Sequence, residues 1–192
     1  MRDLHSLALK VEGGRLQVLD QTRLPAAEVW VPVAGPGHMV ALIRQLSVRG
    51  APLIGVAAAL SLAAFAEAGA GSVDLRAAAE DLRAARPTAV NLMWAMDRLA
   101  AVLDRGGSCR DLVQEAEAIF DEDVRLCEAM AAQGLPLLGA GEAVLTHCNS
   151  GGLATAGVGT ALGLIRRGWE AGRIRHVYAD ETRPLLQGAR LT

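Results

Sequence analysis

Val144-Leu145-Thr146-His147-Cys148-Asn149-Ser150-Gly151-Gly152-Leu153-Ala154-Thr155-Ala156-Gly157-Val158-Gly159-Thr160-Ala161-Leu162-Gly163-Leu164 is the stretch that decides the fold. It opens as a short apolar run and turns polar at Thr146. After the pair Gly151-Gly152 it takes on a small-residue pattern that predicts a helix over 153–167. Strand, sharp turn and helix in that order belong to an open α/β sheet, which binds ligands at the carboxyl ends of its strands. Glycines let the backbone approach a ligand, and the N–H groups opening the next helix suit an anion. Cys148 lies mid-turn, where a helix N-terminus would favour its thiolate. A small buried apolar cysteine is the alternative.

Downstream, Arg175 to Ala179 predicts a second strand, and Asp180-Glu181-Thr182-Arg183-Pro184 reads as a second helix start. Upstream, residues 134–141 form the expected domain boundary. Before it, helical periodicity predicts a bundle: 38–46, a buried helix up to about residue 68, one from Ser72 or Asp74 (either could cap it) to about 85, and two more. The fourth follows Arg86-Pro87-Thr88, with Pro87 suited to a first helical position, and buries Leu92, Met96, Leu99 and Leu103. The fifth follows the capping box Ser108-Cys109-Arg110-Asp111 and lines up Leu112, Ala116, Phe120, Val124 and Cys127. Residues 6–20 read as a hairpin turning at Gly13-Gly14, with a third strand over 29–33. The expected class is α+β then α/β: residues 1–133 a small β segment with a helical bundle, and 134–192 the beginning of a Rossmann-like domain. Two parallel strands with one crossover helix cannot bury both sheet faces. The second domain is therefore expected to be cut short or to borrow strands from another chain.

The 192 residues carry a net charge of −2 with acids and bases interspersed, which points to neither nucleic acid nor an anionic membrane. Three cysteines without CxxC or Cys/His spacing support neither a disulfide framework nor a metal site, so the expectation is a reduced, cytoplasmic protein. The uncharged run Ala51–Ala66 is too short to span a bilayer and contains Pro52 and Gly55.

Arg49 and Arg86 share a form: each stands in a break just before an apolar helix. Guanidinium groups there suit a phosphate, through forked hydrogen bonds beside the helix dipole. Asp180, Glu181, Arg183 and Gln187 follow the second strand and are expected to line the same crevice. Gly157-Val158-Gly159 falls inside the expected helix and no G-x-G-x-x-G opens it, which argues against a nicotinamide cofactor. Ser150-Gly151 does not form a nucleophile elbow.

Several of these stretches closely resemble the methylthioribose-1-phosphate isomerase family of the initiation-factor 2B superfamily. They are Leu19-Asp20-Gln21-Thr22-Arg23-Leu24-Pro25, Val48-Arg49-Gly50-Ala51-Pro52-Leu53-Ile54-Gly55, Arg86-Pro87-Thr88-Ala89-Val90-Asn91-Leu92, Thr146-His147-Cys148-Asn149-Ser150-Gly151, Gly159-Thr160-Ala161-Leu162-Gly163, and Asp180 through Arg190. Ser150 and Gly152 differ from the family's usual threonine and alanine. The resemblance implies that Arg49, Gly50, Ala51, Arg86 and Gln187 contact a sugar phosphate and that Cys148 is the catalytic thiol. His147, Asn149, Gly151, Asp180 and Glu181 support them. It implies no metal or nucleotide cofactor, a homodimer, and aldose-to-ketose isomerisation of a sugar 1-phosphate in methionine salvage. The anomeric phosphate blocks simple ring opening, so the protein must assist it, then move hydrogen between neighbouring carbons by an enediolate or a hydride shift. The family's acid/base aspartate and an Asn-Lys phosphate pair belong to a segment after residue 192, so this chain is expected to hold most of the site but not all of the chemistry.

Three other readings compete, one of them a degraded remnant that binds substrate weakly and does no chemistry. An isomerase acting on ribose 1,5-bisphosphate would need a second phosphate site. A non-catalytic relative like the initiation-factor 2B regulatory subunits would use the fold for binding alone, and would need neither the Thr-His-Cys-Asn turn nor the Arg-Gly-Ala-Pro stretch.

Overall fold

The computed structural model describes residues 1–192. Four short antiparallel strands open the chain in sheet order: β1 (Leu4–His5), β2 (Leu9–Glu12), β3 (Arg15–Leu19) and β4 (Trp30–Pro32). Glu12 pairs with Arg15 around Gly13-Gly14, whose φ values of 54° and 75° are the left-handed pair that a two-residue hairpin turn requires. Hairpin and third strand match expectation, while β1 adds a strand too short to signal itself in sequence.

Five helices follow: α1 (Pro36–Arg44), α2 (Ala51–Glu67), α3 (Ser72–Arg83), α4 (Val90–Asp104) and α5 (Cys109–Gly134). They surround α2, which is apolar on every side and buries nearly all of its length. α4 lays Leu92, Met96, Leu99 and Leu103 into this core, and α5 adds Leu112, Ala116 and Phe120; of the rest of the expected α5 stripe, Val124 is only half-buried and Cys127 is buried against Gly157. The α2–α4 crossing is close because Gly55 lacks a side chain; a Cβ there would stand 2.6 Å from the Asn91 carbonyl oxygen.

At the start of α5, Ser108 Oγ accepts the Asp111 N–H and the Asp111 carboxylate accepts the Ser108 N–H at 2.7 Å. Ser108→Ala will cost about 1 kcal/mol, measured as a lower urea midpoint at unchanged m value. Two other helix starts depart from expectation. Gly71, rather than the side chain of Ser72 or Asp74, precedes α3, and α4 begins at Val90, which leaves Pro87 in the preceding turn.

Beyond α5, β5 (Glu142–Thr146) and β6 (Ile174–Ala179) pair in parallel through the crossover helix α6 (Ala161–Glu170). The small antiparallel sheet, helical bundle and parallel strand pair are the expected architecture. The crossover helix, however, starts at Ala161 and not at 153. Residues 153–160 form an irregular loop closed by a bridge between Gly151 and Gly159. Gly159 sits at φ 101°, and a Cβ there would lie 2.5 Å from the Gly151 Cα, a crossing that no helix contains. Nor does a helix begin at Asp180: residues 180–186 are extended or turning, and only α7 (Gln187–Leu191) is helical. Pro184 explains this, because the residue before a proline is driven out of the helical region.

On the β5–β6 pair, α6 packs against both strands. The cross-strand neighbours Leu145 and Tyr178 stay 69% and 57% exposed, so one sheet face is uncovered. No helix is long and apolar enough to cross a membrane.

Candidate functional site

β5 ends at Thr146, and the chain turns at His147-Cys148-Asn149. Cys148 adopts φ 54°, a left-handed conformation that costs a non-glycine residue about 1–2 kcal/mol. Its thiol is exposed. The turn is held from both sides. His147 Nδ1 lies 3.2 Å from Asp180 Oδ2, and the Asp180 N–H donates to the Thr146 carbonyl, so the two strand ends are tied together. On the other side Asn149 is buried, and its Oδ1 accepts from Arg49 Nη1 at 3.1 Å.

Arg49 also reaches Gln21 Oε1 at 3.4 Å, and Gln21, itself buried, donates from Nε2 to the Leu153 carbonyl at 2.7 Å. Two buried amides thus join the loop after β3, the approach to α2 and the glycine-rich loop. Gly50 follows at φ 97°; a Cβ on it would stand 2.4 Å from the Ala154 Cα. The Ala154 carbonyl accepts the Leu53 N–H at 3.1 Å, and Pro52 has no N–H. This leaves the Ala51 N–H free at the N-terminus of α2.

Burial pushes the Arg49 guanidinium below its ordinary range; the charge of Cys148 opposes this, and the nearby charges of Arg86 and Arg190 add to it. None of the three arginines pairs with a carboxylate, the arginine ion pairs being those of Arg2, Arg76, Arg83, Arg98 and Arg166. Positive charge without a carboxylate, beside a helix N-terminus, is the arrangement a phosphate calls for. Arg190 spends its donors on the carbonyls of Gln21, Leu24 and Leu185, so it supplies charge and fixes the loop after β3. With Gln21, Arg49 and Gln187 it lines a cavity of about 170 Å³. Gln187 Oε1 accepts from Thr182 Oγ1 at 2.5 Å. The hydroxyls of Thr146 and Ser150, either side of the turn, are buried without a protein partner. No group of three or more His, Cys, Asp or Glu side chains converges on a point that could hold a metal ion.

The fold therefore gathers Cys148, Arg49, Asn149 and Arg86, sets Gln187 beside Arg49, and pairs His147 with Asp180. Gly151 is structural: its carbonyl accepts the Ala154 N–H. Glu181 turns its carboxylate back onto the N–H groups of its own segment. Burial would raise its carboxyl, but the N–H groups of Ala189, Thr182 and Gly188 hold it below its usual range, and its oxygens are occupied by them. The expected helix N-terminus at the Cys148 turn is also absent, since α6 begins only at Ala161; the helix end available to an anion is that of α2. Gln21 and Arg190 are parts of the site to which the sequence assigns no role. Nothing local marks a loop glutamine as buried, and a lone arginine in a short helix reads as an ordinary surface cation. Of the other thiols, Cys109 is exposed at the start of α5, and burial pushes the Cys127 thiol up.

Residues 47–192 match the model of the initiation factor 2 subunit family. The chain is 55% identical over 177 residues to a methylthioribose-1-phosphate isomerase of Anaeromyxobacter sp. (strain K), covering 92% of this chain and 52% of that protein. It is 50% identical over 192 residues to one of Cronobacter sakazakii (strain ATCC BAA-894), covering 100% and 57%. Among solved structures it resembles 5-methylthioribose 1-phosphate isomerase from Pyrococcus horikoshii OT3, with a TM-score of 0.85 at 35% identity over 96% of this chain and 55% of that one. It also resembles the translation initiation factor eIF-2B delta subunit from A. fulgidus, with a TM-score of 0.78 at 37% identity over 98% and 57%. The chain spans about half the length of the curated relatives it matches.

Proposed function

Because the chain belongs to the initiation factor 2 subunit family, we propose that it carries the substrate-gripping and thiol half of a methylthioribose-1-phosphate isomerase. The observation that carries this reading is the carboxylate-free cluster of Arg49, Arg86 and Arg190, in which Arg49 acts on Cys148 and donates to Asn149 beside it. In it, Arg49, Arg86 and the Ala51 N–H hold the phosphate, Gln187 receives a sugar oxygen, and the Cys148 sulfur faces the C1–C2 carbons. His147 and Asp180 keep the turn at the strand ends. The reaction converts 5-methylthioribose 1-phosphate to 5-methylthioribulose 1-phosphate, in a cytoplasmic homodimer. The rest of the acid/base chemistry comes from the half that the longer relatives add.

Turnover tests it. In a protein that joins this chain to the remaining half of a longer relative, Cys148→Ala will lower kcat by about a thousandfold or more. Unchanged turnover would take the chemistry away from Cys148, and absence of turnover in the unsubstituted protein would favour a subunit that binds and assembles without chemistry, as the eIF-2B delta likeness would suggest.

A further inference from the structure

Asp123, in the middle of α5, is a half-buried carboxylate without a cation. Its neighbours on the helix, Glu115, Glu117, Asp121 and Glu122, pair with Arg98 or Arg2. Asp123 instead accepts the Ala156 N–H at 2.6 Å. Burial pushes its carboxyl above the ordinary range, against the pull of the Ala156 and Gly157 N–H groups. Because the shift is upward, ionisation costs the folded state stability at neutral pH, and that cost disappears in acid. An asparagine could accept the same hydrogen bond without it. Stability alone therefore does not account for a carboxylate at this position.

What Asp123 holds is the glycine-rich loop over 151–159. The loop lies so close to α5 that a Cβ on Gly157 would stand 3.0 Å from both the Val124 Cα and the Cys127 Cβ. Buried Thr155 closes it from within, its Oγ1 donating to the Gly157 carbonyl at 3.0 Å. The opposite side of the loop meets the cationic cluster. The Leu153 carbonyl accepts from Gln21 Nε2, and Gln21 Oε1 accepts from Arg49 Nη1. One residue on, the Ala154 carbonyl accepts the Leu53 N–H in the first turn of α2. Hydrogen bonds on both sides of one short loop thus join Asp123 to Arg49 and to the helix end beside it.

We propose that Asp123 is a positioning residue for the anion site, clamping from α5 the loop that sets Arg49 and the first turn of α2. The proposal rests on the sugar-phosphate reading above and adds a residue to which that reading gives no part. Asp123 touches no ligand atom; it acts through Leu153, Ala154 and Gln21. A loop released from α5 takes both carbonyls with it, and Gln21 and Arg49 lose their places.

Three variants test it, read by calorimetric titration with 5-methylthioribose 1-phosphate and by amide hydrogen exchange of the unliganded chain. Asp123→Ala will leave the loop seated in about a tenth of the molecules, and affinity will fall by that fraction, about tenfold. Asp123→Asn keeps an acceptor and will recover affinity to within about threefold of the unsubstituted chain. Its thermal midpoint will be equal to or above that of the unsubstituted chain, since the buried charge is gone. Gly157→Ala leaves Asp123 in place but wedges the loop off α5, and will reproduce the Asp123→Ala loss. Exchange will rise about tenfold over 151–159 and at Leu53 in both alanine variants and stay unchanged in α4. Unchanged exchange at Leu53 in Asp123→Ala would overturn the clamp while leaving the phosphate site standing. So would equal affinity losses for the alanine and asparagine variants, or a lowered thermal midpoint for Asp123→Asn. If the unsubstituted chain does not bind the sugar phosphate, the functional reading fails, and Asp123 has no anion site to position.

Discussion

Arg49→Ala will weaken binding of 5-methylthioribose 1-phosphate by roughly 30- to 1000-fold, about 2–4 kcal/mol, the range for removing a charge-assisted, partly buried partner of an anion. The effect should be larger than for any other single arginine, because Arg49 has two tasks. Its Nη1 donates to Asn149 Oδ1 and Gln21 Oε1, so its loss strands two buried acceptors and frees the turn that carries Cys148. Stability should fall by about 1–3 kcal/mol on the same account. Arg49→Lys preserves a charge but not the fork, so it will restore part of the binding and less of the structural role. Arg86→Ala should lower affinity with little change in stability, since Arg86 makes no ion pair. Binding isotherms and urea melts on the three variants separate the two roles. An Arg49→Ala protein that binds normally would remove the phosphate from this part of the chain.

Gly50→Ala is the second large effect. The residue sits at φ 97°, where an L side chain is strained, and its Cβ would stand 2.4 Å from the backbone Cα of Ala154, which cannot rotate away. Strain and overpacking together should cost about 3 kcal/mol. Because Ala154 also caps α2 through the Leu53 N–H, the same substitution lifts the glycine-rich loop from the helix end that faces the phosphate. Phosphate affinity and stability should therefore fall together. Gly37→Ala is the matched control: it lies inside α1 with open space around its Cβ and an ordinary φ, so it should be neutral or stabilising. Similar thermal midpoints for the two variants would show that the Gly50–Ala154 contact is not a fixed part of the fold.

Much of this architecture was legible before any coordinates. Helical spacing places α4 and α5 and names the residues they bury, because each helix turns one stripe toward α2 and the stripe is written at intervals of three and four. Ser108 and Asp111 announce the start of α5, and Gly13-Gly14 the hairpin. The glycine-rich stretch after Cys148 misled for a physical reason. Small residues at helical intervals are also what a loop needs when it must press against other backbones, as Ala154 does on Gly50 and Gly159 on Gly151. A single sequence cannot separate those two uses. In the site, the residue types pointed to Arg49, Arg86 and Cys148, while the glue between them stayed silent. Gln21 is buried only because the loop after β3 folds across the approach to α2, a tertiary fact with no local pattern. Glu181 shows the reverse: an acidic residue next to a strand end looked available, yet nearby backbone N–H groups claim its carboxylate.

The most direct test of the account is the alkylation rate of each cysteine under native conditions, followed by peptide mass spectrometry with and without 5-methylthioribose 1-phosphate. Cys109 and Cys148 are exposed and will react with iodoacetamide, while the buried Cys127 will not. If the thiol faces the sugar held by Arg49 and Arg86, saturating ligand will slow modification of Cys148 by about tenfold or more and leave Cys109 untouched. Modification of Cys148 at the same rate with ligand bound would place the sugar elsewhere and contradict the site described here.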